Sequence, residues 1–135
     1  MPTIPKKPKN YHSETPKRQL RRRLYNLAVW KNLSKSYRTL HPVCEICEAL
    51  EKDVADMKAT EHVHHILSPF DDGLPDWLRL GRLSDPYNIV AVCKHHHDLI
   101  HQGKIAVEVD FEMAAMNLPY LKVHKISKID NEQNE

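Results

Sequence analysis

Apolar residues recur at steps of three or four from Leu20 through Leu24, Leu27, Trp30 and Leu33 to Tyr37. That spacing puts them on one stripe of an α-helix, predicted as a single element over about 16–38. Thr15-Pro16 supplies its start, with Thr as N-cap and Pro at the first helical position, and His41-Pro42 ends it. Leu50, Val54 and Met57 keep helical spacing and predict a short helix or an ordered insertion. "TEHVHHI" reads as a strand, and "LSPFDDGLPDWLRLGRLSDP" as a long connection with room for one helical turn near Trp77. "YNIVAVC" is a second strand, and "KHHHDLIHQG" a short helix that Gly103 stops. Ile105, Val107, Val109 and Phe111 alternate in "KIAVEVDF" and suggest a third strand. The order of elements predicts an α+β fold. Residues 1–15 lack apolar periodicity and are expected to form a disordered basic tail. Residues 16–40 would be a basic amphipathic helix packed on the core, residues 41–112 the main domain, and 113–135 a partly disordered extension ending in polar "SKIDNEQNE".

The chain's 135 residues suffice for one domain with a modest core. No run of eighteen apolar residues and no charged-then-apolar leader is present, so a soluble, intracellular protein with no membrane partner is expected. Net charge is only +2, but it is divided unevenly. Residues 1–39 carry eleven Lys/Arg against one acid; residues 40–135 carry nine against seventeen. A basic arm on an acidic body suggests that the arm meets a polyanion. Lys17, Arg18, Arg21, Arg22 and Arg23, then Lys31, Lys35 and Arg38, lie on or beside the predicted helix. They are the candidate nucleic-acid contacts.

Three cysteines argue against a disulfide framework and for metal binding. Cys44 and Cys47 are spaced C-x2-C; Cys93 and His96 are spaced C-x2-H. Each spacing lets two side chains from one tight turn reach the same ion, and two such pairs complete the closed tetrahedral shell of structural zinc. His95 could replace His96, but its spacing from Cys93 is one residue short.

A second constellation is richer in histidine. His62, His64 and His65 occupy three of four positions, and His97 and His101 are four apart on a predicted helix, hence on one face. If the zinc pairs come together, the strand with His64 and His65 can pair with the strand 87–92 and approach that helix. Three imidazoles can then hold a divalent cation with coordination positions open, leaving the fourth as a base. An ideal strand points His64 and His65 to opposite faces. Both can serve one site only where the strand ends and the chain turns, as the following "LSPF" suggests.

"PVCEIC", "VHHI" and "NIVAVCKHHH" occur in an order that resembles the HNH endonucleases, the zinc-bearing ββα-metal nucleases. The stretch "NIVAVCKHHHDLIHQGK" is also similar to the ending of colicin-type nucleases, and "YNLAVWKNLSKSYRTLHPVCEIC" resembles phage-borne HNH proteins. The resemblance covers Cys44 to His101. His64 stands where Asp is common, and His96 where Cys is common; both are competent ligands. The resemblance implies a ββα-metal domain behind a zinc knuckle. It makes His65 the general base, with Asn88 orienting that imidazole through its amide or backbone and helping to fix the strand junction. It makes His64 and His97 ligands of a catalytic metal, and His101 either a third ligand or a contact to the scissile phosphate. His62 has no family counterpart and is expected at the surface or just behind the ligands. The implied reaction is hydrolysis of DNA phosphodiesters to 5′-phosphate and 3′-hydroxyl ends. Imidazole ligands suit Ni, Co, Zn or Mn at least as well as Mg. The implied setting is the cytoplasm of a bacterial or phage-infected cell, with DNA as substrate, a phage terminase or other packaging protein as possible partner, and a monomer or weak dimer as assembly. A non-catalytic zinc-stabilised nucleic-acid-binding or packaging module is the alternative. The chain contains no G-x-x-x-x-G-K-[ST], H-E-x-x-H or G-x-S-x-G pattern.

Overall fold

The computed structural model describes residues 15–126, so the tail expected at 1–15, all but Thr15, and the polar end at 127–135 lie outside the described residues. The architecture is α+β, with two small antiparallel sheets.

The predicted N-terminal helix is two helices. Helix α1 spans Pro16–Tyr25 and α2 spans Ala28–Leu40. Thr15 caps α1 by accepting from the Arg18 N–H at 3.2 Å, and Pro16 sits in the first turn. Asn26 ends α1, its N–H donating to the Arg22 carbonyl, and Leu27 is extended with φ −65° and ψ 138°. The break lets one apolar stripe serve two cores. Leu24 packs with Phe70 and Leu83, and Tyr37 with Ile89 and Ala91; Trp30 contacts both clusters.

Helix α3 (Glu45–Leu50) starts directly at the first cysteine, and Val54–Asp56 forms a separate 3-10 turn rather than continuing it. Strand β1 (His62–His65) pairs antiparallel with β2 (Ile89–Val92), setting His64 opposite Val90 and His65 opposite Ile89. The connection between them holds a nine-residue helix, α4 (Asp76–Ser84), where the sequence suggested one turn. Its Leu83 is fully buried against α1. All four residues of β2 are buried. Val90 and Val92 face the cysteines, and Ile89 and Ala91 face α2, which explains a strand that reads as an unbroken apolar run.

Helix α5 (Lys94–His101) follows β2 at once, and Gly103, at φ 71°, reverses the chain after it. Strand β3 (Ile105–Val109) pairs with β4 (Leu121–Lys125), and helix α6 (Phe111–Ala115) lies between them. The stretch expected as an extension from residue 113 is therefore partly built into the fold. Leu121 and Val123 close over the core of Ile46, Val90, Val92 and Ile105. Among the described residues no helix is long and apolar enough to cross a membrane.

Candidate metal centres and the histidine cavity

Cys44, Cys47, Cys93 and His96 converge in the core, each buried. The His96 Nδ1 lies 3.5 Å from Cys44 Sγ, 3.4 Å from Cys47 Sγ and 3.3 Å from Cys93 Sγ. One imidazole N–H cannot donate to three sulfurs at once. A tetrahedral ion with Zn–S of ~2.3 Å and Zn–N of ~2.0 Å would hold nitrogen and sulfur roughly 3.5 Å apart. The spacing is thus that of ligands around one metal ion, and the donor set is that of structural zinc. Burial pushes the Cys44 thiol up to about 12 and also raises Cys47. Buried thiolates need a cation beside them. The backbone helps: the Cys47 N–H donates to Cys44 Sγ at 3.4 Å, and the Lys58 N–H to Cys47 Sγ at 3.5 Å. His95 is exposed and has no place in this cluster.

One residue further along α5 the chemistry changes. His97 and His101 project from the helix toward β1, where His64 meets them, and the three ligand nitrogens lie within 4.8 Å of one another. The Nε2 atoms of His97 and His101 are 3.0 Å apart. Two nitrogens bound to one ion at ~2.0–2.1 Å would stand about 2.9–3.4 Å apart at ligand angles near 90–110°, so the trio fits a divalent cation. His64 and His97 are half-buried and His101 is exposed, which leaves one side of the trio open. Burial, with His97, His101 and His65 adding repulsion, drives the His64 pKa down to about 4; His97 is lowered by burial and by His101 and His62. Neutral imidazoles are what a metal requires. His62 stacks on the His97 ring with centroids 4.7 Å apart, backing a ligand rather than joining the trio.

His65 closes the strand and packs beneath Trp30, centroids 4.4 Å apart, with Tyr25 stacked at 6.3 Å. Its Nε2 lies 3.0 Å from the Leu83 carbonyl oxygen. A carbonyl only accepts, so Nε2 carries the proton and Nδ1 of the neutral ring keeps its lone pair. Burial lowers the His65 pKa, partly offset by that hydrogen bond. His64 and His65 point to opposite faces of β1, yet both line one cavity of about 310 Å³ together with His97 and His101. The strand ends at His65, which makes this possible.

The Asn88 amide hydrogen-bonds at the strand junction and not to the His65 ring. Its Oδ1 accepts from the Leu67 N–H at 2.8 Å, and its Nδ2 donates to the Leu67 carbonyl at 2.8 Å and the Arg82 carbonyl at 2.9 Å. It staples the turn after β1 to the end of α4. Its effect on His65 runs through the chain on either side of that ring, and Leu83, next to Arg82, holds the ring directly.

All eight basic side chains singled out on α1 and α2 are exposed. Arg21 alone of them lines the histidine cavity. Lys35 and Arg38 flank a separate shallow depression on α2. The cover of Trp30 and Tyr25 over His65 has no signal in the sequence, where Trp30 is one more position of the apolar stripe.

No protein-family model matches the chain, and no curated protein or solved structure matches it.

Proposed function

We propose that this protein is a metal-dependent endonuclease of the HNH type, hydrolysing DNA phosphodiester bonds, with zinc in the Cys3His cluster as a folding element. One observation carries the reading. A histidine whose Nε2–H is tied to the Leu83 carbonyl shares a 310 Å³ cavity with three imidazoles spaced so that they could hold one cation. Fixing one ring nitrogen as donor makes the other an acceptor, which is what a general base needs. In the reaction, His65 Nδ1 takes a proton as a water oxygen bonds to phosphorus. The bond from phosphorus to the 3′-oxygen breaks, and that oxygen leaves with a proton from solvent. His64, His97 and His101 would hold a divalent ion, which when bound stabilises charge on the phosphoryl and leaving oxygens. Asn88 keeps the turn at residues 66–67 in place, and Trp30 covers the buried side of the base. The exposed arginines and lysines of α1 and α2 supply sequence-independent phosphate contacts, so binding should weaken steeply with salt.

The test is plasmid cleavage by zinc-replete protein stripped of loosely bound metal and then given Mg, Mn, Ni, Co or Zn. Nicking should appear with at least one ion and fall by about 10²–10⁴-fold in His65→Ala, with zinc content and fold intact. Salt-sensitive DNA binding without cleavage under any ion would instead make the chain a nucleic-acid-binding module.

A further inference from the structure

The histidine cavity has an unusual charge balance. Its lining contains four imidazoles and the Arg21 guanidinium, with Ser68 as a further polar side chain, and no Asp or Glu. Oxygen-ligated cation sites usually offset the ion with carboxylates. Here a divalent ion held by three neutral nitrogens would keep its full charge, beside a permanent cation. Such a cavity needs an anion to complete it.

Arg21 is placed to meet that anion. It and Tyr25 are four apart on α1, so both reach the cavity from one helix face. The guanidinium carbon lies 5.7 Å from the centre of the Phe70 ring, and Phe70 is buried and braced edge-on by Tyr25 at 5.0 Å. A cation–π contact of this kind holds the guanidinium over the ring and uses none of its N–H donors. Among the described residues no Asp or Glu pairs with Arg21; Asp71 pairs with Arg82 and Asp98 with Lys94. The break at Asn26–Leu27 makes α1, which carries Arg21 and Tyr25, a helix separate from α2.

We propose that Arg21 is the phosphate-holding residue of the histidine cavity, gripping a non-bridging oxygen of the substrate opposite the three imidazoles. This rests on the endonuclease reading for the identity of the substrate, but the anion site itself does not. The site favours phosphate esters over neutral carbonyl substrates, because only the former bring the negative charge that the lining lacks. Arg21 thus acts differently from Arg38, which contributes to the general basic field from α2.

The experiment titrates inorganic phosphate into Mn-loaded, zinc-replete protein. Dissociation constants come from calorimetry, proximity from paramagnetic broadening of the phosphorus resonance, and Mn affinity from electron paramagnetic resonance. Wild type should bind phosphate close enough to Mn to broaden it. Arg21→Gln should weaken phosphate about ten- to one-hundred-fold without changing Mn affinity, Arg21→Lys should recover only part of the loss, and Arg38→Gln, with the same charge change, should move it less than about twofold. In plasmid cleavage the KM of Arg21→Gln should rise more than kcat falls. Equal weakening by Arg21→Gln and Arg38→Gln, or phosphate that binds without broadening, overturns the proposal. Arg21-dependent phosphate binding without DNA cleavage leaves the anion site standing and removes the nuclease reading. Cleavage that Arg21→Gln leaves unchanged does the reverse.

Discussion

The two clusters placed to hold a metal ion share helix α5, and adjacent residues of it serve each. His96 turns inward to three buried cysteines; His97 turns toward β1, where His101 and His64 join it. The first cluster is closed: every ligand is buried, and backbone N–H groups donate to the sulfurs. The second is open: its ligands range from half-buried to exposed, and a cavity lies against them. A closed shell contributes to folding and leaves an ion no vacant position for chemistry; an open one does the opposite. The separation between them is made by helix geometry alone, since consecutive residues on an α-helix point about 100° apart. One short helix can therefore be anchored by a structural ion and present ligands to a reactive one.

Removal of zinc should produce the largest effect. Apparent binding free energies at structural sites are on the order of 10–16 kcal/mol, more than the whole stability of a typical small domain. Cys93→Ser should therefore lose zinc and cooperative unfolding together, whereas His97→Ala should keep its zinc and melt near wild type while losing the second ion. Metal analysis beside thermal denaturation reads both. A Cys93→Ser protein that melts like wild type would erase the distinction between a folding site and a working site.

Asn88 gives a smaller effect that sharpens the comparison at the open site. Its amide satisfies three backbone groups at the turn after β1 and the end of α4. Asn88→Ala strips those partners and should cost about 2–4 kcal/mol in denaturant unfolding, with zinc retained. Asn88→Asp, which keeps the acceptor for Leu67 but loses both donors, should also destabilise the protein. Stability unchanged in the alanine variant would mean that the turn is held by packing of Phe70 and Leu83.

The closed site was legible almost entirely, because its chemistry is carried by local spacing: C-x2-C and C-x2-H need only a turn each. His97 and His101 were legible for the same reason, as a four-residue step on a helix. The break in the N-terminal helix was not. The apolar stripe runs through Asn26 and Leu27 without a proline or glycine, and the break follows from packing Leu24 under Phe70 and Leu83 while Tyr37 packs on Ile89. With the break went the placement of Arg21, which looked like any other arginine of the flank. Strand β4 was missed because its alternation covers only Leu121 and Val123, and only pairing with β3 makes it a strand. Asn88 stands out in the sequence only through the resemblance, and its partners, Leu67 and Arg82, belong to a connection whose path no short pattern encodes.

The smallest predicted effect is on pH dependence. The unfolded His64 imidazole takes a proton near pH 6.5, whereas the folded one, half-buried among other imidazoles, takes it only at about 4. Between those values the unfolded state binds more protons, so stability rises with pH across that window and is lost as the solution is acidified through it. The lowered His65 and His97 add to the same slope. Acid also releases zinc by protonating thiolates, so the two sites must be told apart by substitution. His64→Gln removes one titrating ring without touching the cysteines. With the open site free of metal, it should flatten the dependence of stability on pH between about 6.5 and 4, leaving the acid-driven loss of zinc where it was. A divalent ion that binds the wild-type trio should steepen the curve, because protons then compete with the ion as well as with the fold, and His64→Gln should abolish much of that added slope. Identical pH profiles for the two proteins, with and without the ion, would show that acid acts on this molecule through the closed site alone.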